Sequence, residues 1–206
     1  MSTLSVDMIE PVGSTLTLGQ SGDTISIPVG GIFTNNGTAS GFTSGNTYAS
    51  QWRLNTDLTV SGAAPGTNVA ANWEMPASIE FPGVIGSSSP MVINSTTGAW
   101  TFPVTGVWEV TFTTDATLLG SHHTSSIYIY VTDSSGGTWV KAVYASIDHS
   151  VNWEHLMSVT YLVEIADKTT DMVRFSAGTA SSTDRLNSDA NVNKTYATFI
   201  KLGDAS

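Results

Sequence analysis

The chain has 206 residues, long enough to bury one sizeable core, and all-β domains of this length commonly stay undivided. Only 12% of the residues are charged, which argues against surface helices and suits short strands joined by tight, uncharged turns. A net charge of -10, with seven scattered basic residues, offers no patch to release condensed counterions and speaks against a nucleic-acid partner, while the absence of cysteine excludes disulfides and thiolate metal sites.

The start, Met1-Ser-Thr-Leu-Ser-Val-Asp7, has neither a basic nor an apolar leader region, and the chain holds no run of about 18 apolar residues, the length of a spanning helix. Synthesis in a cytoplasm without membrane insertion is therefore expected. Residues 1–45 form an arm and linker in this reading. Apolar residues fall at every second position in Leu4, Val6 and Met8, in Leu16 and Leu18, and in Ile25 and Ile27, which is the period of a strand. Gly19-Gln-Ser-Gly-Asp23 between the last two runs supplies hairpin turn residues. A ribbon this small is marginal in water, so it gains stability by pairing with other chains.

The segment from Pro11 to Pro28 resembles a module found near the ends of tail-fibre and other virion proteins of tailed bacteriophages. That resemblance implies contact with other virion proteins through residues 1–45.

Residues 46–206 break into short alternating runs separated by turn residues. Strands are expected at 51–60, 72–74, 91–93, 99–102, 106–113, 126–132, 138–145, 155–164, 172–176 and 195–202, enough for two packed antiparallel sheets. Successive residues of a strand point to opposite faces. In Ile127-Tyr-Ile-Tyr-Val131, one face carries the aliphatic residues and the other Tyr128 and Tyr130, so both faces are apolar. In the last run Tyr196, Ile200 and Leu202 oppose Ala197 and Phe199. Aromatic residues left on an outer face favour subunit contact, which makes Tyr128, Tyr130, Tyr196 and Phe199 interface candidates.

The order of these runs is similar to that in the globular heads of the complement and tumour necrosis factor superfamily. Gly98-Ala-Trp-Thr-Phe-Pro-Val-Thr-Gly-Val-Trp-Glu-Val-Thr-Phe112 occupies that family's aromatic pattern across two successive strands, with Trp100 and Trp108 as aromatics. The stretch from Val159 to Val173 resembles its leucine-rich strand, turn and following strand, with a longer turn replacing the usual Gly-Asp. Thr195-Tyr-Ala-Thr-Phe-Ile-Lys-Leu-Gly203 resembles its closing strand. The resemblance implies a ten-stranded antiparallel jelly-roll sandwich, here preceded by the β-hairpin arm, assembly as a homotrimer, and Tyr196 or Phe199 near the subunit contacts.

Chemistry finds little support. Four histidines are present, and His122 and His123 lie together without a third ligand nearby in the sequence. His155 shares a strand parity with Met157 and Val159, as a packed or interfacial side chain does. No nucleophile elbow, zinc-hydrolase helix or phosphate loop occurs. Carboxylates for a glycosidase pair are available in Glu74, Glu80, Glu109, Asp115 and Asp148, and Asp133-Ser-Ser-Gly-Gly137 and the segment 184–189 are conceivable calcium loops, but neither pattern is dense enough to assign. The expectation is a protein that is not an enzyme, with no catalytic residue, cofactor or bound metal. Among six tryptophans, Trp139 and Trp153 follow turns and are the candidates for surface recognition of a glycan.

The two resemblances together imply a trimeric fibre or spike of a tailed-bacteriophage virion that exposes a jelly-roll head to a host-surface glycan. A capsid-decorating protein is the alternative, and a secreted lectin or cytokine-like trimer the third reading.

Overall fold

A computed structural model of the chain describes residues 48–62, 66–76, 84–86, 90–118, 123–132, 137–149, 153–179 and 184–205. The expected hairpin arm at 1–45 lies outside these residues. Within them the chain is all-β, without helix, and runs through β1 (Tyr48–Leu54), β2 (Leu58–Thr59), β3 (Thr67–Asn68), β4 (Trp73–Glu74), β5 (Val84–Gly86), β6 (Val92–Ile93) and β7 (Ala99–Thr101). The longer strands follow: β8 (Gly106–Leu118), β9 (His123–Thr132), β10 (Trp139–His149), β11 (Trp153–Ile165), β12 (Met172–Thr179), then β13 (Arg185–Leu186) and β14 (Tyr196–Gly203).

These strands form two antiparallel sheets. The eight-stranded sheet runs β2-β13-β8-β14-β1-β4, with β11 on the other edge of β8 and β5 also beside β1. The six-stranded sheet runs β10-β9-β12-β7-β6, with β3 beside β12. Alternation decides which residues meet between the sheets. From β8 come Trp108, Val110 and Phe112, from β9 Ile127 and Ile129, from β12 Val173 and Phe175, and from β14 Ala197 and Phe199, all buried. The aromatic rings form one cluster, in which Phe112 stacks on Phe175 at 4.6 Å and Trp100 lies 5.0 Å from Phe199. Burying side chains of this size is the main driving force of such a sandwich.

Two turns show how the sequence closes the frame. Between β6 and β7, the Asn94 side-chain oxygen accepts the backbone N–H groups of Thr96 and Thr97 at 2.9 and 3.1 Å, and Gly98 completes the reversal at φ 75°. This is the asparagine-led turn that favours glycine at its end. The Pro103-Val-Thr-Gly106 turn carries the chain from β7 in one sheet to β8 in the other. Gly106 sits there at φ 149°, and a Cβ on it would lie 2.6 Å from the Gly203 carbonyl oxygen, so the closure of β14 against β8 requires glycine.

The longer turn between β11 and β12 is a hydrogen-bonded loop, tied to β9 where the Thr132 hydroxyl donates to the Thr170 carbonyl at 2.9 Å. One Asp171 oxygen accepts the N–H groups of Ala166 and Asp167, both at 2.8 Å, while Asp167 accepts the Thr169 N–H at 2.8 Å and its hydroxyl at 2.6 Å. Two aspartates thus replace the tighter Gly-Asp turn and keep β11 and β12 connected across the two sheets.

Candidate functional site

The residues singled out in the sequence fall on three different parts of the sandwich. Phe199 lies wholly inside the core against Trp100, Phe102 and Phe175. Its interface role is corrected on that ground: a side chain packed between the two sheets has no surface to offer a second copy. Its strand neighbour Tyr196 has the opposite parity and lies half-buried on the outer face of the eight-stranded sheet. His155 is half-buried on the inward-facing parity of β11 with Met157 and Val159. Tyr128 and Tyr130 lie on the outer parity of the six-stranded sheet, opposite in the sandwich to Tyr196, and both are largely covered there by their neighbours.

The outer face of the eight-stranded sheet combines hydroxyl rows with isolated leucines. Thr111 on β8 meets Thr160 on β11 and Thr113 meets Ser158, each pair at 2.9 Å. Across β14, the Gln51 amide donates to the Thr198 hydroxyl at 3.1 Å, and Asn193 donates to Gln51 at 2.5 Å. Leu156 and Leu162, on the same parity of β11 as Ser158 and Thr160, are 74% and 56% exposed. A surface that covered these leucines would remove their apolar area from water.

On the six-stranded sheet the outer face is an aromatic and cationic array. The register places Arg174, Tyr130 and Lys141 side by side on β12, β9 and β10, with Ser176, Tyr128 and Tyr144 in the next row and Trp139 opposite Thr132 in the row before. Tyr128 stacks on Tyr144 with centroids 5.9 Å apart. The Lys141 ammonium lies 4.8 Å from the Tyr144 ring centre, and the Arg174 guanidinium lies 5.0 Å from that of Tyr130 and 4.5 Å from that of Trp139. These are cation–π distances. Burial pushes the Tyr130 phenol up, with Tyr128 adding to the shift and Arg174 opposing it, so the phenol is neutral at physiological pH. Burial also draws the Arg174 guanidinium down from its ordinary value, against the opposing influence of Tyr130. Trp139 is half-buried beneath Arg174 rather than freely exposed, and the Trp153 side chain lies outside the described residues.

Arg174 was not legible as a site residue. The available signal was a basic residue at the outward parity of an otherwise apolar run, Met172-Val-Arg-Phe-Ser176, in a strand paired on both edges.

Several of the other chemical candidates are engaged structurally. Glu74 pairs with Arg53 at 2.8 Å, Asp115 accepts the Asn187 amide at 2.8 Å, and Asp189 caps the N–H groups of Asn191 and Val192. Asp184 is buried and accepts the Thr179 hydroxyl. Among the described residues no three His, Asp or Glu side chains are grouped to hold a metal ion. His122, the side chains of His123 and His149, Glu80 and residues 133–136 lie outside what is described. A cleft of about 560 Å³ opens at one end of the sandwich beside Val131, Tyr161, Leu162 and Met172; of its three carboxylates, Glu164, Asp167 and Asp171, the two aspartates are engaged by their own turn.

No family model and no curated protein sequence matches this chain. Solved structures do. Eiger TNF from S. frugiperda superposes with a TM-score of 0.55 at 18% identity, covering 77% of this chain and 94% of that one. Murine APRIL gives a TM-score of 0.49 at 9% identity, covering 75% of this chain and 98% of its own. With the β11-β8-β14-β1 succession in one sheet and β10-β9-β12-β7-β6 in the other, the chain has the antiparallel jelly-roll fold seen in Eiger TNF.

Proposed function

We propose that this protein is a non-enzymatic homotrimeric adhesion protein, carried on the virion of a tailed bacteriophage through residues 1–45, whose jelly-roll head binds a glycan of the host surface. The observation that carries the assembly is the outer face of β11-β8-β14, where Leu156 and Leu162 stand exposed among hydroxyl rows and Tyr196 is half-covered. A second and third copy laid on this face remove both leucines from water, and cyclic assembly closes the contact without an open edge. The virion reading is supported by the resemblance of the segment from Pro11 to Pro28 to virion modules. Glycan adhesion is supported by the aromatic array around Trp139 and Tyr144. Three heads on one particle convert weak single contacts into avidity.

The likeness in fold to Eiger TNF favours a second reading, a cytokine-like trimeric ligand. Light scattering on the full chain is expected to give three times its 21.7 kDa mass. Leu156→Glu with Leu162→Glu should give the mass of one chain with an unchanged β-sheet circular dichroism spectrum. A single-chain mass for the unaltered protein removes the trimer. Particles depleted of the protein that still adsorb to cells but break under osmotic stress would overturn the adhesin in favour of a capsid-decorating protein. Saturable binding of the full chain to animal cells, with none to bacteria, would overturn it in favour of the ligand.

A further inference from the structure

The chain carries 17 acidic and seven basic residues, so a lysine and an arginine that share one face without a carboxylate partner are a departure from its general electrostatics. Lys141 and Arg174 are such a pair: none of the ion pairs among the described residues involves either. Both are instead held over aromatic rings, Lys141 against Tyr144 and Tyr128, and Arg174 against Tyr130 and Trp139. The Arg174 Nε is buried and makes no hydrogen bond. A guanidinium fixed in this way keeps its planar fork for a planar anion, and the ordering of its long side chain is already accomplished before a ligand arrives. Beside it, the Tyr144 ring is 56% exposed and Trp139 is half-buried, giving flat apolar surface next to the two cations.

We infer that the outer face of β12-β9-β10 is a binding site for an acidic oligosaccharide, whose carboxylates pair with Arg174 and Lys141 while a pyranose ring lies on Tyr144. The inference rests on the adhesion reading and specifies its ligand class. The two halves of the site require both features in one ligand. A neutral sugar leaves the cations without a counter-charge, and a simple anion leaves the aromatic surface in water. A dense polyanion is disfavoured by the net charge of -10, whereas one carboxylate per sugar ring matches two fixed cations on an acidic protein.

The test is equilibrium binding of the full chain to short oligogalacturonate and short oligosialate, each beside its neutral methyl ester, followed by tryptophan fluorescence. At least one acid is expected to bind about tenfold more tightly than its ester, as a charge-assisted bidentate contact allows. The preference should shrink as salt rises from about 50 to about 500 mM. Arg174→Gln should abolish the preference, and Lys141→Gln, at an exposed position, should reduce it whether or not the arginine variant folds. Tyr144→Ala should weaken acid and ester alike.

Equal affinity for acid and ester with both sugars, or an acid preference that survives Lys141→Gln unchanged, overturns the inference. Full competition by acetate or inorganic phosphate at the same concentration also overturns it, by reducing the site to an anion site. Binding of the fluorescently labelled full chain to host cells separates the two levels. Cell binding without an acid preference defeats the acidic ligand and leaves adhesion standing, whereas loss of both defeats adhesion as well.

Discussion

Phe199 and Tyr196 lie three residues apart on one strand and on opposite sides of it, and this parity separates stability from assembly. Phe199→Ala opens a cavity among Trp100, Phe102 and Phe175 and is expected to lower the unfolding free energy by about 3–5 kcal/mol, read by denaturant titration. Tyr196→Ala removes a half-covered ring from the outer face. It should leave the denaturant midpoint of dilute protein nearly unchanged and raise the concentration at which assemblies dissociate, read by sedimentation. A large stability loss for Tyr196→Ala would place its ring in the core and contradict the register of β14.

At the scale of the element, the β11–β12 turn carries an acid sensitivity at Asp167. Hydrogen bonds from the Thr169 hydroxyl and then its backbone N–H hold the Asp167 carboxyl below its ordinary value. Its folded value is lower than its unfolded one. The contribution is therefore fully present above the ordinary carboxylate range, about pH 4, and is lost as pH falls through the lowered folded value. Asp167→Asn should flatten the acid limb of a melting-temperature profile below about pH 4 while leaving the neutral region nearly level.

Elements also differ in how far the sequence disclosed them. β9, β11 and β14 were legible because each alternates over many residues, and the expected runs at 126–132, 155–164 and 195–202 fall within or nearly coincide with them. The expected single strand at 51–60 is two, β1 and β2, because the chain leaves the sheet at Asn55, whose N–H bonds to the Asn72 carbonyl at 2.9 Å. β3, β5 and β13 were missed since two or three residues cannot show a period. They exist because β12, β1 and β8 offer them an edge. The candidate site was half legible for the same reason: Tyr128, Tyr130 and Trp139 stood out as aromatics, whereas Arg174 joins them through cross-strand register alone.

For the molecule as a whole, the two outer faces have different chemistry. One is hydroxyl-lined with exposed Leu156 and Leu162, the other aromatic and cationic, and the proposed trimer covers the first and leaves the second free. Assembly that stabilises the folded chain makes melting depend on protein concentration. The melting temperature should therefore rise steadily over a hundredfold increase in concentration, by differential scanning calorimetry, and the Leu156→Glu, Leu162→Glu protein should melt at one temperature throughout.

The place of β14 between β8 and β1 has a consequence for biosynthesis. Among the described strands, β14, which completes the middle of the eight-stranded sheet, is synthesised after all the others, whereas its partner β1 is synthesised before them. Until those closing residues emerge, β1 and β8 each wait with an open row of amides and carbonyls, the kind of edge that neighbouring nascent chains can capture. Completion of the sheet thus requires β1 and β8 to stay clear of other pairings until β14 has been made, and the hazard to the chain is greatest in that interval.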